Sequence, residues 1–219
     1  MLHGYLSKKE SFIYQINFFS RFTRVIAVDM TGFGKGNEME IPYSLSDYVN
    51  EIKGILDEIG EEKVDVIAHS FGGRVVAKML TEENRIDKII FTGAAGLKPR
   101  RGIKYLFKRA SFLLLKNFYP KEKLQFLYSN DYRNLSPVMK ESFKKIVSEN
   151  LDECYGKIQN KTLLIFGKKD RETPPSMAKR MRKLVKNSRL TFMLNEGHFC
   201  FSENPEKFNG IVFSFLFSE

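Results

Sequence analysis

A serine acts as a nucleophile only where the backbone exposes its hydroxyl and a base can reach it. The stretch Val64 to Gly73, VDVIAHSFGG, offers such a place at Ser70. The run Lys63 to Ala68 reads as a buried strand, and Gly73 to Leu80 continues as a helix with Val75, Val76, Met79 and Leu80 on its apolar side. A serine on a turn from strand directly into helix must have small residues two positions to either side, because larger side chains would collide there. Ala68 and Gly72 meet that demand. The turn lifts Ser70 Oγ above the sheet and aims the first N–H groups of the helix at whatever the serine attacks. Ala68 stands where the commoner form of this pattern, Gly-x-Ser-x-Gly, has glycine, and alanine is still small enough.

A serine hydroxyl is a weak nucleophile at neutral pH. It needs an imidazole to take its proton and a carboxylate to hold that imidazole in the right tautomer. The chain has three histidines. His69 adjoins Ser70, so its side chain leaves the turn in another direction, and His3, in LHGY, is suited to shaping a turn. That leaves His198 as the base, in Asn195 to Phe199 after the apolar strand Leu190 to Leu194. The acid should follow a neighbouring strand, because ligand sites in open parallel sheets form outside the strand C-termini. Thr162 to Phe166 is such a strand and Gly167-Lys168-Lys169-Asp170 follows it, which makes Asp170 the expected acid and Glu172 a weaker substitute. The strand Lys88 to Thr92 ends in Gly93-Ala94-Ala95-Gly96, without a carboxylate.

With Ser70, Asp170 and His198 in that chain order, the sequence resembles the α/β-hydrolase superfamily over nearly its whole length. The resemblance also rests on LHGY (Leu2 to Tyr5), VIAVDMTGFGKG (Val25 to Gly36), LLIFGKKD before and at Asp170, and the NEGH loop ending at His198. It implies an oxyanion hole formed by the backbone N–H groups of Tyr5 and Phe71, where one donor typically stabilises the transition state by about 3 kcal/mol. It also implies an α/β fold, a mostly parallel sheet flanked by helices, with a core of residues 1–96 and 159–219 and an inserted helical cap of residues 97–158. One feature departs from the pattern. In the superfamily LHG closes a central strand between the Val25 and Val64 strands, whereas here only Met1 and Leu2 precede His3. N-terminal strands of the family pattern are thus missing from the sequence. The expectation is that the true start lies upstream or that the protein is a fragment, and that without such a strand the LHGY loop is poorly anchored.

The elements that must position these groups alternate strand and helix. Ser11 to Ser20 carries Phe12, Ile13, Ile16 and Phe19 at helical spacing, and Arg24 to Asp29 reads as a strand. Ser44-Leu45-Ser46-Asp47 looks like a helix start, with Tyr48, Ile52, Ile55, Leu56 and Ile59 on one face until Gly60. Beyond the Ser70 strand and helix come a strand at Ile86 to Thr92, a helix around Ser176 to Val185 and a closing helix from Pro205 to Phe217. Such alternation predicts a parallel sheet with right-handed crossovers. Arg74 and His69 are candidate substrate-binding residues beside Ser70, with a solvent-facing or ion-paired arginine as the competing reading of Arg74.

At 219 residues the chain has room for one α/β domain and not for two full ones. Its formal charge of +10 is uneven: Leu97 to Ile158 holds 14 Lys or Arg against six acidic residues. Within it, Gly102 to Phe118 reads as a basic amphipathic helix. Its apolar face is expected to cover the site, and contact with an anionic membrane surface is the competing reading. No nucleic-acid motif accompanies the charge, so nucleic acid is not an expected partner. Cys154 and Cys200 are too few for a disulfide framework. The histidines are scattered, so no metal is expected, nor any other cofactor. Gly32-Phe33-Gly34-Lys35-Gly36 lacks the ending of a phosphate-binding loop and reads as a glycine turn. No leader-like stretch and no run near the roughly 20 apolar residues of a membrane span is present, and the expected location is the cytoplasm.

The leading expectation is a serine hydrolase that cleaves a carboxylic ester or thioester with a largely apolar acyl group through an acyl-enzyme on Ser70. A second reading keeps the same three residues for C–C bond cleavage or elimination on an anionic substrate. It draws on the resemblance of Ser70 to Arg74 to the Ser-x-Gly-Gly-Arg elbow of a menaquinone-pathway synthase. A third is a non-catalytic or truncated hydrolase homologue.

Overall fold

Residues 1–98 and 135–217 are described by a computed structural model. After a 3-10 turn at Lys9–Phe12 come α1 (Ile13–Phe19) and α2 (Leu45–Ile59). The chain then alternates through β1 (Val64–His69), α3 (Phe71–Met79) and β2 (Ile86–Thr92). Next are α4 (Pro137–Ser148), α5 (Asp152–Lys157), β3 (Thr162–Gly167), α6 (Pro175–Leu184) and β4 (Ser188–Met193). The short α7 (Cys200–Glu203) and α8 (Pro205–Phe217) close it. The four strands lie side by side in the order β1-β2-β3-β4, all parallel.

Alternate strand residues face opposite layers, as the period of two requires. Val66, Ala68, Ile89, Phe91, Leu164 and Phe166 enter one buried cluster with side chains of α2, α3, α5 and α6. Ile67, Ile90, Leu163 and Ile165 enter another with α1, α7 and α8. Helix α2 starts where its sequence says it should: Ser44 and Asp47 form a reciprocal capping box, and Gly60 ends the helix at φ 70°. Among the described residues no helix is long and apolar enough to cross a membrane.

Arg24 to Asp29 differs from the expected strand. Only Val28 makes a bridge, and it makes it to Leu2, which also bridges Ala68. A strand is a ladder, and one partner residue supports one rung. Alongside lies a cavity of about 360 Å³ lined by Val25, Ile26, Val64 and Ile67 in the plane of the sheet and by Phe19 and Ile55 from the two layers. LHGY is nevertheless well anchored, contrary to expectation. Leu2 N–H donates to Ile67 O and Leu2 O accepts from His69 N–H, both at 2.9 Å, while His3 O accepts from Gly72 N–H at 3.0 Å. Backbone bonds to β1 and to the start of α3 thus replace the ladder a longer strand would supply.

The Gly102 to Phe118 amphipathic pattern lies outside the described residues. Of the expected cap, 135–157 holds α4 and α5. Helix α5 inserts one side chain into the core, Tyr155, which is fully buried with its hydroxyl 2.6 Å from Ala95 O.

Candidate active site

Ser70 joins β1 to α3 with φ 48° and ψ −106°, a conformation a residue with a Cβ rarely adopts. Such a residue costs on the order of 1–3 kcal/mol and persists only where its surroundings over-determine it. They do so here: Ser70 N–H donates to Thr92 O at 3.2 Å, and Ser70 O accepts from Gly73 N–H and Ala95 N–H, both at 3.1 Å. Gly72 is required by close approach, since a Cβ on it would stand 2.5 Å from Leu2 O and 2.9 Å from His3 O. The Phe71 N–H, first in α3, has no intrahelical acceptor.

The segment carrying Tyr5 lies directly against the serine. A Cβ on Gly4 would be 3.4 Å from Ser70 Cβ and 2.8 Å from His69 Nδ1. His3 shapes this turn, its Nδ1 donating to Gly4 O at 2.7 Å and its Nε2 accepting from Met30 N–H at 3.2 Å. That pattern needs a neutral ring, and burial lowers the His3 pKa accordingly. The Tyr5 hydroxyl donates to Met139 O of α4 at 3.1 Å, and its ring packs edge-on to Phe33 and Phe71. The N–H-bearing loop is therefore held from both the sheet and α4.

On the other side of the same strand ends, His198 Nδ1 lies 2.9 Å from Asp170 Oδ2. The carboxylate accepts, so Nδ1 carries the proton and Nε2 of the neutral ring is left with a lone pair. Asp170 is 3 % exposed. Burial alone would raise its pKa, but hydrogen bonds from His198 and Thr173 outweigh that and hold it below the ordinary value. Its Oδ1 accepts the backbone N–H groups of Glu172 and Thr173, both at 2.8 Å, and the Thr173 hydroxyl lies 2.7 Å from Oδ2. Glu172 contributes this N–H while its side chain is exposed, so it does not stand in for Asp170.

Ser70 and His198 border a common segment. Ser70 is bonded to Thr92 and Ala95, while Thr173, beside His198, reaches Gly93 O at 3.1 Å. Among the described residues no hydrogen bond joins Ser70 Oγ to His198. Catalytic hydrogen bonds in ligand-free sites are often long and tighten only around substrate.

The two candidate substrate-binding residues have other employment. Arg74 is 8 % exposed, and its Nη2 donates to the carbonyls of Ile146 and Glu149, the second at 2.7 Å, capping the C-terminal end of α4. His69 is 1 % exposed, with Nε2 3.2 Å from His198 O, and its ring meets that of His198 at 4.7 Å. Neither side chain presents itself to a ligand. Two further groups escape a sequence reading. Thr173 has a faint signal, since a threonine three residues after an aspartate is turn chemistry. Glu203 has none: its two oxygens accept the N–H groups of Gly197 and Phe199, at 2.6 and 3.3 Å, one on each side of His198.

A profile of the alpha/beta hydrolase family matches residues 1–211. The chain belongs to that family. It is 25 % identical to the AB hydrolase superfamily protein YisY of Bacillus subtilis (strain 168), across 98 % of this chain and 89 % of the relative. It is also 25 % identical to the 2-hydroxy-6-oxo-2,4-heptadienoate hydrolase of Pseudomonas putida, across 91 % and 80 %. Among solved structures, the esterase EaEST of Exiguobacterium antarcticum superposes with a TM-score of 0.78 at 27 % identity, covering 98 % of this chain and 90 % of that one. The meta-cleavage product hydrolase CumD of Pseudomonas fluorescens IP01 superposes with a TM-score of 0.70 at 25 % identity, across 95 % and 85 %.

Proposed function

We propose that this hydrolase cleaves carboxylic esters or thioesters of largely apolar acyl groups through an acyl-enzyme on Ser70. Ser70 Oγ attacks the carbonyl carbon while His198 Nε2 takes its proton. The tetrahedral oxyanion sits between the Phe71 and Tyr5 N–H groups. Its collapse expels the alcohol or thiol, which receives the proton from His198. Water, deprotonated by His198 in turn, then attacks the acyl carbon and frees the acid and Ser70. Asp170 keeps the imidazole in the tautomer whose Nε2 is basic and stabilises the imidazolium. The observation that carries this reading is the strained backbone of Ser70 together with the 2.9 Å contact of His198 with the buried Asp170. Residues 97–158 serve as the cap, with α4 on the Tyr5 side of the site.

A second reading, hydrolysis of a C–C bond in an anionic keto acid, is favoured by the names of the Pseudomonas relatives. The same three residues would serve it. Arg74 gives it little support as an anion receptor, because the side chain is buried and its Nη2 donates to two carbonyls at the end of α4. A p-nitrophenyl ester series of graded acyl length separates the two. The ester reading requires a pre-steady-state burst of p-nitrophenol that Ser70→Ala abolishes. Unchanged turnover in that variant excludes an acyl-enzyme on Ser70.

A further inference from the structure

His69 has a position its neighbour relation to Ser70 does not suggest. Its ring lies between three parts of the site: the Gly4 backbone, the Ser70 turn to which it belongs, and the His198 loop. Its Nε2 is 3.2 Å from His198 O. A carbonyl only accepts, so Nε2 carries the proton. Nδ1 then keeps a lone pair, and among the described residues it is a buried atom with no hydrogen-bond partner. The ring is walled by Phe199 and Phe201, with centroids at 5.1 and 4.8 Å. Buried away from water, its pKa is pushed down to about 3, a shift that the nearby His198 reinforces.

We propose that His69 is a positioning residue, which ties the His198 loop to the Ser70 turn through the hydrogen bond from its Nε2–H to the His198 carbonyl. The inference rests on the reading of Ser70 as nucleophile and His198 as base. Asp170 sets the rotation of the imidazole, and Glu203 holds the N–H groups on either side of it, but neither connects the loop to β1. Among the described residues the His69 hydrogen bond spans the two, linking positions 129 residues apart in sequence. A protonated His69 would confront the imidazolium that forms on His198, whose ring centroid lies 4.7 Å away.

Two substitutions of similar polarity separate positioning from packing. The amide nitrogen of Gln can reach the place of Nε2, whereas that of Asn reaches only the place of Nδ1. His69→Asn is expected to lower kcat for a p-nitrophenyl ester by about 10- to 100-fold, because a misplacement of about 1 Å can cost that much. KM should stay within about twofold, since uniform binding is untouched. His69→Gln is expected to keep most of the wild-type kcat at the same KM. Labelling of Ser70 by a fluorophosphonate, in which Oγ bonds to phosphorus, fluoride leaves and His198 takes the proton, should follow the same order. Thermal unfolding of both variants reports the packing change. Equal kcat and labelling rates in the Asn and Gln variants overturn the proposal, whether both are fast or both are slow. A wild-type protein that the fluorophosphonate does not label at Ser70 overturns the underlying serine reading instead.

Discussion

Around Ser70 the backbone does the holding. Carbonyls and N–H groups of Thr92, Gly73 and Ala95 fix the turn, and Leu2 and His3 press their carbonyls against Gly72. Around His198 side chains do it, those of Asp170, His69 and Glu203. Backbone groups belong to the sheet and helix that generate them, so the turn is as stiff as the fold. Side-chain bonds can be removed one at a time, so the loop can loosen while the fold persists. The site therefore joins a part that tolerates no change of shape to a part whose precision is adjustable.

The sharpest break of that contrast is Ser70→Ala, which should leave folding intact and reduce ester turnover by about 10⁴-fold or more, read by steady-state kinetics beside circular dichroism. Asp170→Asn should cost about 10³- to 10⁴-fold in kcat by favouring the wrong tautomer of His198, with KM little changed. Gly72→Ala tests the stiff side. Its Cβ would meet backbone oxygens that cannot turn away, so the expected result is loss of about 3 kcal/mol or more in urea unfolding, or insoluble protein. Glu203→Gln tests the adjustable side. One acceptor oxygen is lost and the other kept, so kcat should fall less than about tenfold while the unfolding midpoint hardly moves.

A further test varies pH. His69 is held neutral with a pKa of about 3, below the unfolded value, so between that value and about 6.5 the unfolded chain binds the extra proton. The contribution is therefore complete above pH ~6.5 and is lost as pH falls, at up to about 1.4 kcal/mol per pH unit. Stability of His69→Gln, followed by urea titration from pH 7 to 4, should decline with a shallower slope than that of the wild type. Parallel slopes would mean that the ring is protonated in the fold.

How much of this was legible beforehand follows the same division. Ala68, Ser70 and Gly72 announce the turn because its sterics act between residues two positions apart, and the capping box at Ser44 and Asp47 is local in the same way. The parallel sense of β1 to β4 follows from alternating periods along the chain. Arg24 to Asp29 misleads because its residue types suit a strand, while a ladder depends on a partner that residue types cannot supply.

The sequence by itself determined which residues are candidates for the site: a serine with small neighbours, an aspartate after a strand, and a histidine left by elimination. Only the tertiary structure decided the duties of the rest. Arg74, which by position looked ready for an anion, caps α4, and His69, which looked turned away, bonds to the His198 carbonyl. Thr173 took on a role that its place after Asp170 announces only faintly, and Glu203 one that its residue type does not announce. Hydrogen bonds between distant segments depend on where packing of the two apolar layers brings them, and that is a property of the whole chain.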